Sequence, residues 1–251
     1  MNKTVLITGA TSGIGKATAI FLASQGARLI LCGRRESRLN DLKKELPTEV
    51  HTLHFDVRDR EAVFDSIAQI PEEFKPVDVL INNAGNAHGL DDVVGADLDD
   101  WDAMIDGNVK GLMYVTKAIL PEMTTRKKGQ IINLGSIAGI EVYPKGNAYC
   151  ASKFAVDAFT QGLRIDLNSY GIRVGAIHPG LVETEFSEVR FKGDQEKAAA
   201  VYSQLDALQA EDVANTILFM INAPEHVTLA DITILPTAQA SATVINKKTL
   251  E

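Results

Sequence analysis

Cysteine is nearly missing from this chain, tryptophan occurs once, and no apolar run approaches the length of a membrane span. Cys32 and Cys150 are too few for a disulfide framework, so a reducing, cytoplasmic setting is expected. A bilayer-crossing helix needs ~20 consecutive apolar residues, and MNKTVLITGA runs straight into a strand-like segment with no signal peptide, so no membrane is expected. Positive charge is also short: 25 Lys and Arg stand against 33 Asp and Glu, a net charge of −8, and the basic residues are not blocked together. That balance disfavours nucleic acid and anionic lipid as partners. His51, His54, His88 and His226 show no metal-like spacing with carboxylates or cysteines, so no metal is expected. His178, just before a Pro-Gly pair, reads as structural. The terminal Leu250 and Glu251 carry no weight in this reading.

What the chain has is alternation. Short apolar runs read as buried strands: TVLIT (4–8), RLILC (28–32), HTLHF (51–55), VDVLIN (77–82), QIINL (130–134), RVGAIH (173–178) and DITIL (231–235). Between them lie segments of helical periodicity, among them 15–25, 35–46, 98–123, 151–170 and 210–221. Near-continuous apolar strands alternating with helices predict a parallel sheet covered on both faces. The series has no composition break, so one α/β doubly wound domain of about seven strands is expected over residues 1–251. Ligands in such sheets bind beyond the carboxyl ends of the strands.

The first strand runs into TGATSGIGKATA. Gly9, Gly13 and Gly15, with Thr11, Ser12 and Ile14 between them, permit a tight turn ahead of a helix whose free N–H groups suit a phosphate. The spacing is not G-x-G-x-x-G, and a Walker loop fails at Ala10 and Ala17, which disfavours a nucleotide-hydrolysing enzyme. No acidic residue ends the second strand; Arg34 and Arg35 stand there instead. Guanidinium groups suit a 2′-phosphate, which predicts NADP over NAD. After the third strand, Asp56-Val57 either borders the adenine or caps the next helix through the carboxylate.

Asn83, Ala84 and Gly85 form another small-residue turn, and Ser136 ends the fifth strand. Tyr149 and Lys153 lie four residues apart, hence on one helix face. An ammonium beside a phenol lowers its pKa from about 10 toward values useful for proton transfer.

In this order, TGATSGIG, NNAG, NVKG (108–111), GS (135–136), YCASK (149–153) and HPGLVET (178–184) resemble the short-chain dehydrogenase/reductase family over nearly the whole chain. The resemblance implies a Rossmann-type sheet, usually a homotetramer, and a catalytic triad of Ser136, Tyr149 and Lys153. It implies that Asn108 completes a proton relay, and that Pro179, Gly180, Val182 and Thr184 lie over the nicotinamide. Residues 185–206 read as a lid carrying Arg190 and Lys192. That lid resembles those of NADP-dependent 3-hydroxy acid dehydrogenases acting on serine, allo-threonine and related small acids. A carboxylate substrate needs a cation, with Arg190 ahead of Lys192. The readings set against this one are a reductase for a bulkier neutral or 3-oxoacyl substrate and a non-catalytic NADP-binding sensor.

Overall fold

The computed structural model describes residues 1–247; Leu250 and Glu251 lie outside the described residues. Seven parallel strands form one sheet: β1 (Thr4–Thr8), β2 (Arg28–Gly33), β3 (Val50–His54), β4 (Val79–Asn82), β5 (Gly129–Leu134), β6 (Ile172–Pro179) and β9 (Asp231–Ile234). Their order is β3-β2-β1-β4-β5-β6-β9. Strand order reverses at β1, between β2 and β4, which opens a crevice beyond the carboxyl ends there.

β1 shows why the strands read as unbroken apolar runs: all five of its residues are buried. Val5 and Ile7 pack on one face with Leu22, Leu29, Leu31 and Ile217. Leu6, between them, packs on the other face with Ile30, Leu80, Val115 and Leu163. Side chains alternate across a strand, so a sheet covered on both sides must be apolar at every position. Each buried Leu or Ile contributes roughly 1.5–3 kcal/mol.

The covering helices are α1 (Gly13–Ser24), α2 (Glu36–Glu45), α3 (Arg60–Ala68), α4 (Leu98–Ile105), α5 (Leu112–Arg126), α6 (Asn147–Leu167) and α9 (Ala210–Asn222). No helix among the described residues is long and apolar enough to cross a membrane. The expected single helix over 98–123 is instead two helices joined by a π-helical turn, Asp106–Gly111. Glycines let this turn press on its neighbours. A Cβ on Gly111 would stand 2.7 Å from Val57 Cγ2, and one on Gly107 would stand 2.7 Å from Asn86 Nδ2.

Beyond β6 the chain forms β7 (Val182–Glu183), α7 (Phe186–Arg190), α8 (Gln195–Tyr202) and β8 (Leu208–Gln209). β7 and β8 pair in parallel, Val182 with Leu208 and Glu183 with Gln209. The segment expected as a lid thus leaves and rejoins the body through one two-stranded clip.

Candidate active site

The crevice opens into a cavity of about 520 Å³, lined by the ends of β1, β2, β4, β5 and β6 and by α7. Its first wall is the turn after β1. Gly9 and Gly13 adopt φ of +66° and +49°, the left-handed region that glycine tolerates. Gly15 is glycine for a different reason: a Cβ there would lie 2.4 Å from the Gly9 carbonyl oxygen. Asn83 fastens this turn to the next one, its Nδ2 donating to the Thr8 and Gly9 carbonyls at 2.9 and 3.1 Å. Thr8 Oγ1 returns the tie by accepting from the amides of Asn83 and Ala84. Ser12 makes no side-chain cap to α1, so the first amides of that helix stay available to an anion. Thr11, Ser12 and Ile14 line the cavity, as do Asn83, Ala84 and Gly85.

Arg34 and Arg35 both reach the cavity. Arg35 folds back on the turn, donating from Nε and Nη2 to Thr11 Oγ1 and from Nη2 to Ser12 Oγ at 2.7 Å. Its other edge bonds Glu185 at 3.0 Å. Arg38, one turn into α2, bonds both oxygens of Glu185 at 2.9 Å. Sequence reasoning missed Arg38, although its i+3 spacing from Arg35 places both on one helix face. Burial of Glu185 favours its neutral form, but the bonds and charge of Arg35 and Arg38 outweigh that and hold its pKa below the ordinary carboxylate range.

Asp56 and Val57 line the cavity near Arg34. Asp56 does not cap α3; Asp59 does, accepting from the Ala62 amide. Asp56 is gripped by Arg58, whose Nε and Nη2 donate to it at 2.7–3.1 Å, and it stands 3.6 Å from Arg34.

Ser136, Tyr149 and Lys153 meet at the deep end. Ser136 follows β5, and its Oγ accepts from the Ala138 amide at 3.1 Å. Lys153 is buried; its Nζ donates to the Leu134 carbonyl at 2.8 Å and lies 5.9 Å from the centre of the Tyr149 ring. Burial lowers its pKa to about 8. Burial pushes Tyr149 the other way, up to about 12, opposed first by the charge of Arg190 and then by a hydrogen bond with Ser136. The charge of Lys153 does not figure among the causes of that shift. Beyond its bond to the Leu134 carbonyl, the Lys153 ammonium keeps two further N–H groups. The cation that favours phenolate is Arg190, 4.9 Å from the Tyr149 ring centre.

Arg190 sits within a cage of aromatic rings. Its Nη2 donates to the Tyr143 hydroxyl at 2.7 Å, and its guanidinium lies 5.5 Å from the Phe186 ring centre. Its Nε is buried without a hydrogen-bond partner. Lys192, two residues on, goes elsewhere. It follows α7 at φ +53°, which turns the chain away, and it pairs with Asp100 at 3.0 Å and Asp97 at 3.7 Å. It is not brought to the cavity, unlike Arg190.

Pro179, Gly180, Val182 and Thr184 line the wall after β6. Gln239 fixes that turn, its Oε1 accepting from the Leu181 amide at 2.9 Å. Asn108 is buried in the π-helical turn of the middle helical stretch, behind Gly85, where an added Cβ would stand 3.1 Å from Asn108 Oδ1 and 3.8 Å from Lys153 Nζ. Nδ2 donates to the Asn86 carbonyl and to Ser152 Oγ, while Oδ1 accepts from the Asn86 amide. With every side-chain hydrogen engaged, Asn108 ties the π turn to the 83–86 turn and to α6. His178 is buried outside the reacting groups, 3.8 Å from Asp157 and 3.7 Å from Asp231. One ligand atom from each of Asp157, His178 and Asp231 lies within 4.8 Å of the others, but the Arg164 guanidinium already holds Asp231 at 3.1 Å.

The short chain dehydrogenase family pattern matches residues 3–195. An NADP-dependent 3-hydroxy acid dehydrogenase of Salmonella typhi is 45% identical over 239 residues, 95% of this chain and 96% of that protein. Sulfoacetaldehyde reductase 2 of Chromohalobacter salexigens is 47% identical over 243 residues, 96% of each. A solved closed form of serine dehydrogenase complexed with NADP+ superposes with a TM-score of 0.92 at 42% identity, covering 98% of this chain and 100% of that one.

Proposed function

The chain belongs to the short-chain dehydrogenase family, and from that premise we propose that it moves hydride between NADP and the alcohol carbon of a small 3-hydroxy acid. Serine, allo-threonine and 3-hydroxyisobutyrate are of the right class. The observation that carries this reading is Arg190, a cation with a buried unpaired Nε held against the reacting tyrosine. A substrate carboxylate placed on that guanidinium lies beside the Tyr149 hydroxyl.

The residues present fit a dinucleotide. The unblocked start of α1 and the Cβ-free turn at Gly9–Gly15 suit its pyrophosphate, and Arg34, Arg35 and Arg38 suit a 2′-phosphate. When bound, the nicotinamide accepts or returns the hydride. The protein does the rest. Ser136 holds the substrate oxygen against Tyr149. Tyr149 takes the alcohol proton in oxidation and gives it back in reduction. Lys153 anchors the cofactor ribose and adds positive charge. Asn108, whose Oδ1 keeps a second lone pair beyond the Asn86 amide, completes the proton relay through water. The segment 185–206 acts as a lid on one domain spanning residues 1–251, and the active form is a cytoplasmic homotetramer, which light scattering of the purified protein checks.

A second reading takes a small sulfonated aldehyde as substrate; the sulfoacetaldehyde reductase relative favours it, and a guanidinium binds sulfonate as it binds carboxylate. Absorbance at the reduced-nicotinamide band separates the cases. Serine, allo-threonine and 3-hydroxyisobutyrate are offered with NADP, sulfoacetaldehyde with NADPH, and a neutral secondary alcohol as control. Turnover of the carboxylic acids supports the proposal. Turnover of the sulfonate alone moves the assignment to the second reading, and turnover of the neutral alcohol alone removes the anion site.

A further inference from the structure

Glu185 is the first residue of the segment that covers the cavity, and its carboxylate is the anion now held by Arg35 and Arg38. Arg35 is bolted to the phosphate turn through Nε and Nη2, on Thr11 and Ser12, and one of its two Nη1 hydrogens goes to Glu185. All three ionic side chains are 41–47% exposed, so a ligand anion reaches them from solvent.

We propose that Glu185 is an internal stand-in for the cofactor's 2′-phosphate: it occupies the Arg35–Arg38 donors in the free protein, and the phosphate displaces it on binding. The proposal rests on the NADP reading above and names a residue that limits it. A phosphate monoester carries nearly twice the charge of a carboxylate and three acceptor oxygens. An exposed ion pair is a weak bond, so the phosphate wins the exchange. The exchange still lowers its net gain, because the arginines arrive already neutralised. Glu185 therefore sets how strongly the protein prefers a 2′-phosphate. It also links that preference to the lid, since the displaced residue is the one from which α7 starts.

The test uses 2′,5′-ADP and ADP, which differ in the 2′-phosphate and lack the nicotinamide. Their binding is measured by calorimetry at low salt to wild type, Glu185→Gln and Glu188→Gln. Glu188 is exposed on α7, with no bond to either arginine, and controls for the loss of one negative charge. Glu185→Gln is expected to bind 2′,5′-ADP about 5–10-fold more tightly, with ADP changing less than ~2-fold and the gain fading above ~0.2 M salt. Glu188→Gln is expected to match wild type. A weaker or unchanged 2′,5′-ADP affinity in Glu185→Gln overturns the proposal, as does an equal gain in both variants. If wild type itself shows no preference for 2′,5′-ADP over ADP, the NADP reading fails; a preference without a Glu185→Gln gain sinks only the displacement. Amide exchange at Phe186–Arg190 gives a second readout. It should speed up in wild type on adding 2′,5′-ADP and stay constant in Glu185→Gln, which is already unclasped; a wild-type segment that does not respond contradicts the exchange.

Discussion

The two walls of the cavity are built on opposite principles. The wall at the strand ends is knit by short, largely buried hydrogen bonds between turns: Asn83 to Thr8 and Gly9, Lys153 to Leu134, Asn108 to Asn86 and Ser152. The facing wall, 184–207, is two short helices held by the β7–β8 clip, by exposed ion pairs such as Lys192–Asp97, and by the Gly89 amide on the Arg190 carbonyl. Buried networks are costly to rearrange, and exposed ion pairs are weak. A protein that must place a hydride to within fractions of an ångström puts the reacting groups on the first wall. One that must admit and choose a substrate puts the group proposed to select it, Arg190, on the second.

The sharpest way to break this comparison is to remove the reacting group from the fixed wall. Tyr149→Phe is expected to lower kcat by roughly 10²–10⁴-fold while NADP still binds; substantial remaining turnover would reassign the acid–base role. Less severe is the double change Arg34→Ala with Arg35→Ala, expected to weaken NADP by roughly 10–100-fold and NAD far less. An equal loss for both cofactors would remove the 2′-phosphate assignment.

The fixed wall also carries a stability cost. The pKa of Lys153 falls from 10.5 to about 8 on folding, so between those values the unfolded chain holds a proton that the folded chain does not. Stability then rises with pH across that window, and below about pH 8 the buried ammonium costs in full, about 3 kcal/mol. Lys153→Met should therefore lose activity yet melt higher than wild type at pH 7, with the gap closing toward pH 10. A variant less stable at pH 7 would make Lys153 a structural asset. The smallest effect is expected on the outer wall: Lys192→Ala, which breaks an exposed pair with Asp97 and a partly covered one with Asp100, should change kcat/KM by less than ~5-fold. A large loss specific to acids would return Lys192 to the substrate site.

The same contrast explains what the sequence disclosed. The strands were legible because full burial writes an apolar residue at every position, and the glycine turn, Ser136 and the Tyr149–Lys153 spacing were legible because each follows a strand or shares a helix face. The π-helical turn was not, since 98–123 keeps helical periodicity through Asp106–Gly111, and only the contacts of Gly107 and Gly111 with Asn86 and Val57 require the extra residue. Gln239 and Tyr143 reach the site from segments 58 and 47 residues away from their partners, a distance at which no local pattern exists. Lys192 stood second to Arg190 as the cation for a carboxylate. A left-handed residue at the end of α7 sends it to the acidic segment instead. The identity of the cation nearest Tyr149 depends on where the covering segment folds, which strand and helix periods do not encode.

The most direct test of this division is the ratio of kcat/KM for a 3-hydroxy acid to that for the alcohol lacking its carboxylate, in wild type and Arg190→Ala. Arg190 also opposes the rise in the Tyr149 pKa, so its removal should move the pH profile upward for both substrates, a shared change that cancels in the ratio. The account predicts that the ratio falls roughly 100-fold. A ratio unchanged by the substitution would contradict it, leaving the covering wall without a part in choosing the substrate.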